Sequence, residues 1–161
     1  TEPDDSNGFT LINIDKIEAI ISYFAKEVAN LYKVKLMKML WYADAISYRE
    51  NGFAMSGLIY RHEAMGALPV GHNSLMNLER VHVVEEMSYN FESMFHIHPV
   101  EEMDYSVLNE KEKKILDRII TKFKEYKAKD IVDYMHRETA YTKTENGAII
   151  PFSLAKEIKE F

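Results

Sequence analysis

The sequence predicts a single α+β domain, predominantly helical with a small antiparallel β-sheet, and three observations carry that expectation. Apolar residues recur at helical spacing early and late in the chain. Between them, Val81 to Val100 holds short runs of β-branched and aromatic residues broken by turn formers. At Asn109 a capping box marks the return to helix. Helices, then strands, then helices describe an α+β arrangement rather than an alternating α/β one. A chain of 161 residues, 47% of them hydrophobic, is long enough for one domain with its own core and short for two.

Residues 1–12 read as a linker or tail and residues 13–161 as the domain. The first helix runs from about Asp15 to Asn30, with Ile17, Ile20, Ile21, Phe24, Ala25 and Val28 at helical spacing and Asn13 or Asp15 as its cap. A joint near Leu31 to Lys33 leads into the central helix, Lys35 to Tyr48, which carries the one tryptophan. Met37, Trp41, Asp44 and Tyr48 share one stripe and Leu36, Leu40 and Ala43 the next, so this helix needs cover on more than one side. Lys35, Lys38 and Tyr42 lie off the densest stripe and stand available to a partner. The helix ends at Asn51-Gly52, where glycine accepts a left-handed conformation.

Leu58 to Ala64 follows as an extended segment, and Gly66, Pro69 and Gly71 punctuate a tight turn after it. Asn73 to Leu78 reads as a short helix. Val81 to Val84, Met87 to Phe91 and Met94 to Val100 are the strands of the sheet. The capping box, Asn109 with Glu112, opens a helix whose Ile115, Ile119, Ile120 and Phe123 form one stripe. A second helix, Ala128 to Arg137, carries Ile131, Val132, Tyr134 and Met135. Asn146-Gly147 marks a turn, and Ser153 caps a last short helix with Leu154, Ala155 and Ile158.

The formal charge of −6 argues against nucleic-acid binding by this domain, since phosphate binding is driven by clustered Lys and Arg. Between Val81 and Glu110 there is no Lys or Arg, while Glu85, Glu86, Glu92, Glu101, Glu102, Asp104 and Glu110 are acidic. That segment repels phosphate and attracts a basic partner. No apolar run approaches the roughly 20 residues of a membrane span, and the polar, acidic start is unlike a secretion signal. A cytoplasmic protein is the expectation, consistent with the absence of cysteine. The missing initiator Met and the abrupt polar start lead to the expectation of a piece of a longer chain.

Phosphate loops, dinucleotide fingerprints and nucleophile elbows are absent. His96 and His98, two apart on a strand with Glu101 and Glu102 nearby, have the spacing of metal ligands, but paired strand histidines are more often simply exposed, and no metal or cofactor is assigned. His62 and Glu63 with His72 flank the turn after the first extended segment, and Asp44 would be placed to polarise a histidine. The preferred reading gives Asp44, His62, His72 and His136 structural roles, bonding backbone groups where strand and turn dock on the central helix. Ten Tyr and eight Phe are many for one domain, and tyrosine anchors protein interfaces. Tyr42, Tyr60, Tyr89 and Tyr141, with Glu85 and Glu86, form the candidate contact set.

Three stretches together resemble a known family: K-L-M-K-M-L-W-Y-A-D from Lys35 to Asp44, G-L-I-Y-R-H-E-A-M-G-A-L-P-V-G-H from Gly57 to His72, and Ala128 to Thr142, which contains D-I-V-D-Y-M-H-R-E-T-A-Y-T. They resemble the Panacea domain of the SocA-like antitoxins, over about Ile14 to Phe161. Lys35, Leu36, Lys38, Leu40, Trp41, Tyr42 and Ala43 match the first family marker, and His136 and Tyr141 the last. The turn departs, with Ala67-Leu68 where Gly-Pro is common, although Pro69 and Gly71 remain. The resemblance implies an antitoxin of a bacterial or phage toxin–antitoxin system, which binds and neutralises a cognate protein toxin by direct contact and is not an enzyme. It also implies an N-terminal helix-turn-helix DNA-binding domain outside this chain. The alternatives are a metal-dependent or acid/base enzyme using His62, His72, His96 or His98, and a ligand-sensing domain with a small molecule against Trp41 and Tyr60.

Overall fold

The computed structural model describes residues 2–159 and 161. It is organised around α2, Lys33–Asn51, in which every residue from Lys35 to Tyr48 is buried. Helix α1 (Ile14–Glu27), α4 (Glu110–Phe123) and α5 (Ala128–Met135) pack on it, together with a β-hairpin and a C-terminal 3-10 turn at Phe152–Glu157. With so many covering elements, α2 keeps no solvent-facing stripe. Lys35, Lys38 and Tyr42, expected to be available to a partner, are therefore interior. Lys35 shows how: its ammonium donates to the carbonyls of Lys124 and Tyr126 at 3.1 and 2.6 Å, satisfying the end of α4.

Local chemistry sets the helix boundaries. The Asn13 side chain accepts from Lys16 N at 3.1 Å to start α1, which ends sooner than expected because Val28 is extended and Asn30 takes φ +53°. Gly52 closes α2 in the left-handed region at φ +84°. The capping box of α4 is complete: Glu112 N donates to Asn109 Oδ1 at 2.8 Å and Asn109 N to Glu112 Oε1 at 2.9 Å.

Strand β1 (Tyr60–Glu63) pairs antiparallel with β2 (Gly66–Pro69), from Tyr60 opposite Pro69 to Glu63 opposite Gly66. Gly66 and Pro69, expected as turn residues, are thus strand residues, and the turn lies at Ala64-Met65. Glycine is needed at 66 for another reason: a Cβ there would stand 2.9 Å from Lys38 Cε and from Met135 Sδ. The following helix, α3, is only His72–Leu75.

A second hairpin pairs β3 (His82–Met87) with β4 (Ser93–His98). Three strands were expected in this region. The stretch from Met87 to Phe91 instead closes the hairpin, with Ser88 N donating to Glu92 O at 2.9 Å, Phe91 N to Ser88 O at 3.0 Å, and Phe91 at φ +65°. The architecture is α+β and helix-dominated, as the sequence predicts, with two separate two-stranded sheets rather than one.

The chain ends are pinned together. Residues 5–9 form turns, Asn7 is buried, and Ala54 N donates to Gly8 O at 2.8 Å. Asp5 accepts from Phe152 N at its carbonyl and from Ser153 N at its carboxylate, at 3.0 and 2.8 Å. This stretch, expected as a tail, is part of the packed unit because its short polar residues bond loop backbone that would otherwise lack partners. Ser153, expected as a cap, is spent on Asp5, while α6 (Thr139–Thr142) adds a turn after α5.

Candidate functional site

Asp44 lies in the middle of α2, fully buried. Its carboxylate accepts from Met55 N at 2.9 Å, Ser56 N at 2.7 Å, Ser56 Oγ at 2.5 Å and Tyr60 Oη at 2.7 Å. Burial pushes the Asp44 carboxyl up from its ordinary value, against the pull of these donors, and burial beside Asp44 pushes the Tyr60 phenol well up too. Enclosed this way, Asp44 fastens the 53–56 loop and the start of β1 to the central helix. Tyr60 belongs to that clasp and has no solvent face, which removes it from the contact set.

Tyr42 is withdrawn as well. Its hydroxyl donates to Glu138 Oε2 at 2.7 Å inside the core, and its ring packs against Phe123, Tyr134 and Phe161. Burial, then Glu138, holds the Tyr42 phenol well above its usual range. Sequence reasoning missed Glu138; the only signal was that a buried tyrosine hydroxyl needs an acceptor.

Tyr141 stands between two histidines. His62 stacks on it at 3.7 Å and 14°, and His136 at 4.6 Å and 16°. The Tyr141 hydroxyl donates to Glu63 O at 2.6 Å, His136 Nε2 lies 3.1 Å from Ala64 O, and His62 Nδ1 lies 2.9 Å from Thr144 Oγ1. This stack grips the backbone at the β1–β2 turn from the α5–α6 side, so Tyr141 is committed to the fold more than to a surface.

His72 is elsewhere. Its Nδ1 accepts from Lys33 Nζ at 2.8 Å, and burial, then Lys33 and Lys38, hold its pKa below the ordinary imidazole value. Lys38 is 1% exposed and donates to Ala67 O at 3.0 Å; burial brings its ammonium down to about 8. Both lysines reach a groove of about 440 Å³ walled by Met37, Leu68, Met94 and Phe95. His62, His72 and His96 thus sit in three different networks, and the structure does not assemble them into one acid/base site.

On the second hairpin, the carboxylate beside His96 and His98 is Glu86; Glu101 and Glu102 stand outside this cluster. Glu86 Oε2 lies 2.8 Å from His96 Nδ1, and Oε1 accepts from Tyr32 Oη at 2.7 Å. Beyond this cluster the hairpin ends in exposed apolar groups: Met87 is 64% exposed, Tyr89 97% and Phe91 84%. Glu85 and Glu92 are exposed beside them. Sequence reasoning named Tyr89, Glu85 and Glu86 and missed Phe91, which it placed inside a strand.

Fold and side-chain networks define a helix-centred α+β domain with one hairpin clamped to its core and another whose tip is left to solvent. A family model described as antitoxin SocA-like, Panacea domain, matches residues 36–160, and the chain belongs to that family. Helix α1, which the resemblance included, lies outside the matched residues. No curated protein and no solved structure matches the chain. No helix among the described residues is long and apolar enough to cross a membrane.

Proposed function

We propose that this domain is an antitoxin module that neutralises a cognate protein toxin by direct contact, without catalysis of its own, and that the tip of the β3–β4 hairpin makes the contact. The observation that carries the reading is the display of Tyr89 and Phe91, at 97% and 84% exposure, where no other aromatic ring among the described residues exceeds the 52% of Phe53. Large aromatic side chains are the usual anchors of protein interfaces. Phe91 holds φ +65°, a conformation that costs a bulky residue roughly 1–3 kcal/mol and is commonest where function demands it. Glu85 and Glu92 flank the rings, and the segment from 81 to 110 has no lysine or arginine, so the partner surface it fits is basic with an apolar pocket. Family membership supports the antitoxin class, and the absence of cysteine accords with a cytoplasmic setting. A DNA-binding helix-turn-helix in the same polypeptide is part of the reading, and this acidic domain leaves that task to it.

The experiment is co-expression with the protein encoded by the adjacent gene. Growth arrest by that protein alone, relieved by this one, is the expected result. A neighbour that is harmless, or toxic and not rescued, refutes the antitoxin reading.

A further inference from the structure

We propose that the outer face of the β3–β4 hairpin binds one divalent transition-metal ion of the zinc type through Glu86, His96 and His98, with His82 completing the set. Strand alternation and register bring these residues together. His82 lies opposite His98, Val84 opposite His96 and Glu86 opposite Met94, so all six share one face. Glu86, His96 and His98 each offer a ligand atom, and these atoms lie within 4.8 Å of one another. Zinc at about 2.0–2.1 Å from each of four ligands sets them about 3.4 Å apart, so small side-chain rotations close the site.

One edge of the site is already drawn in. His96 Nδ1 and Glu86 Oε2 are 2.8 Å apart, and the ion takes the place of the proton between them as the pair opens slightly. The other carboxylate oxygen is held by the Tyr32 hydroxyl at 2.7 Å, and the Tyr32 ring stacks on His96 at 4.7 Å and 28°. Metal ligands are commonly oriented by such outer bonds. The His98 ring is 4.2 Å from that of His96. His82 is exposed, and residues directly opposite in an antiparallel pair have Cβ atoms about 4.5–5.5 Å apart, within reach of a shared ion. Two or three imidazoles with one carboxylate suit zinc, and the lack of lysine or arginine from 81 to 110 leaves no cation on either strand to oppose it. Bound there, the ion ties the hairpin to Tyr32 at the α1–α2 joint. The inference does not depend on the hairpin's protein partner.

Titration of the untagged, chelator-stripped chain with zinc by calorimetry, and with cobalt(II) by visible absorption, tests it. One ion per chain is expected, with the intense visible bands of four-coordinate cobalt(II). His96→Ala and His98→Ala should each weaken binding more than about tenfold and Tyr32→Phe about tenfold, while His62→Ala changes nothing. Far-UV circular dichroism shows whether each variant keeps its fold, and His82→Ala, at an exposed strand end, supplies a mild variant expected to weaken binding and lose the cobalt(II) band shape. No binding by the wild-type chain, or equal affinity in the His96→Ala/His98→Ala double variant, overturns the proposal.

Discussion

Replacing Lys38 with methionine should make this protein more stable at neutral pH. The ammonium is buried, it donates to the Ala67 carbonyl, and burial lowers it from an ordinary 10.5 to about 8. That fall of about 2.5, at about 1.4 kcal/mol each, means that keeping the charge inside costs roughly 3 kcal/mol. Methionine has similar length and no charge, and losing the bond to Ala67 returns about 1 kcal/mol, so Lys38→Met should gain about 2 kcal/mol. The pH dependence has a definite sign. Below pH 8 both folded and unfolded chains carry the charge and the full cost applies. Between about 8 and 10.5 the folded chain binds fewer protons than the unfolded one, so wild-type stability rises with pH. Urea unfolding of both proteins from pH 7 to 10.5 should therefore show the advantage of Lys38→Met shrinking through zero to a deficit of about 1 kcal/mol, the lost bond to Ala67. A variant that is less stable at pH 7, or a difference that does not change across this window, refutes the reasoning.

Further outcomes follow from the same geometry. Asp44→Ala leaves Met55 N, Ser56 N, Ser56 Oγ and Tyr60 Oη without their acceptor, and at about 1–3 kcal/mol for each buried orphan should cost about 4 kcal/mol or more, read as a lower urea midpoint. Asp44→Asn keeps one acceptor oxygen and should cost less than half as much; equal losses would contradict the clasp. Tyr141→Phe keeps the stack with His62 and His136 and loses only the bond to Glu63 O, so thermal unfolding should register about 1 kcal/mol. Phe91→Gly relieves the positive φ and should raise stability by about 1 kcal/mol, measurable as a higher melting temperature; a drop would show that the ring is packed in place.

The sequence carried the parts of this fold that depend on near neighbours. Asn109 and Glu112 spell out their cap within four residues, and Gly52 stops α2 by its own backbone freedom. Where distant partners decide, the pattern misled. Lys35 and Lys38 look like surface residues until the carbonyls of Lys124, Tyr126 and Ala67 are placed beside them. Gly66 and Pro69 read as a turn because such residues usually make one, whereas here the close approach of Lys38 and Met135 demands the glycine and the strand end tolerates the proline. The pairing of His96 with His98 is legible from alternation alone. Their carboxylate is not, since Glu86 comes from the opposite strand and register was unknown. Residues 87–91 look like one strand by composition, and only the Ser88 bonds with Phe91 and Glu92 turn them into a tip.

Affinity of the cognate toxin for the Tyr89→Ala/Phe91→Gly double variant, against wild type and in parallel with growth rescue, tests the central claim most directly. Both side chains are removed from solvent-facing positions, so the domain should stay folded with an unchanged or higher melting temperature. Loss of toxin binding by about 100-fold or more, with loss of rescue, is the predicted result for a pair of interface anchors at about 2 kcal/mol or more each. Wild-type affinity and full rescue in the double variant would place the toxin-binding surface elsewhere.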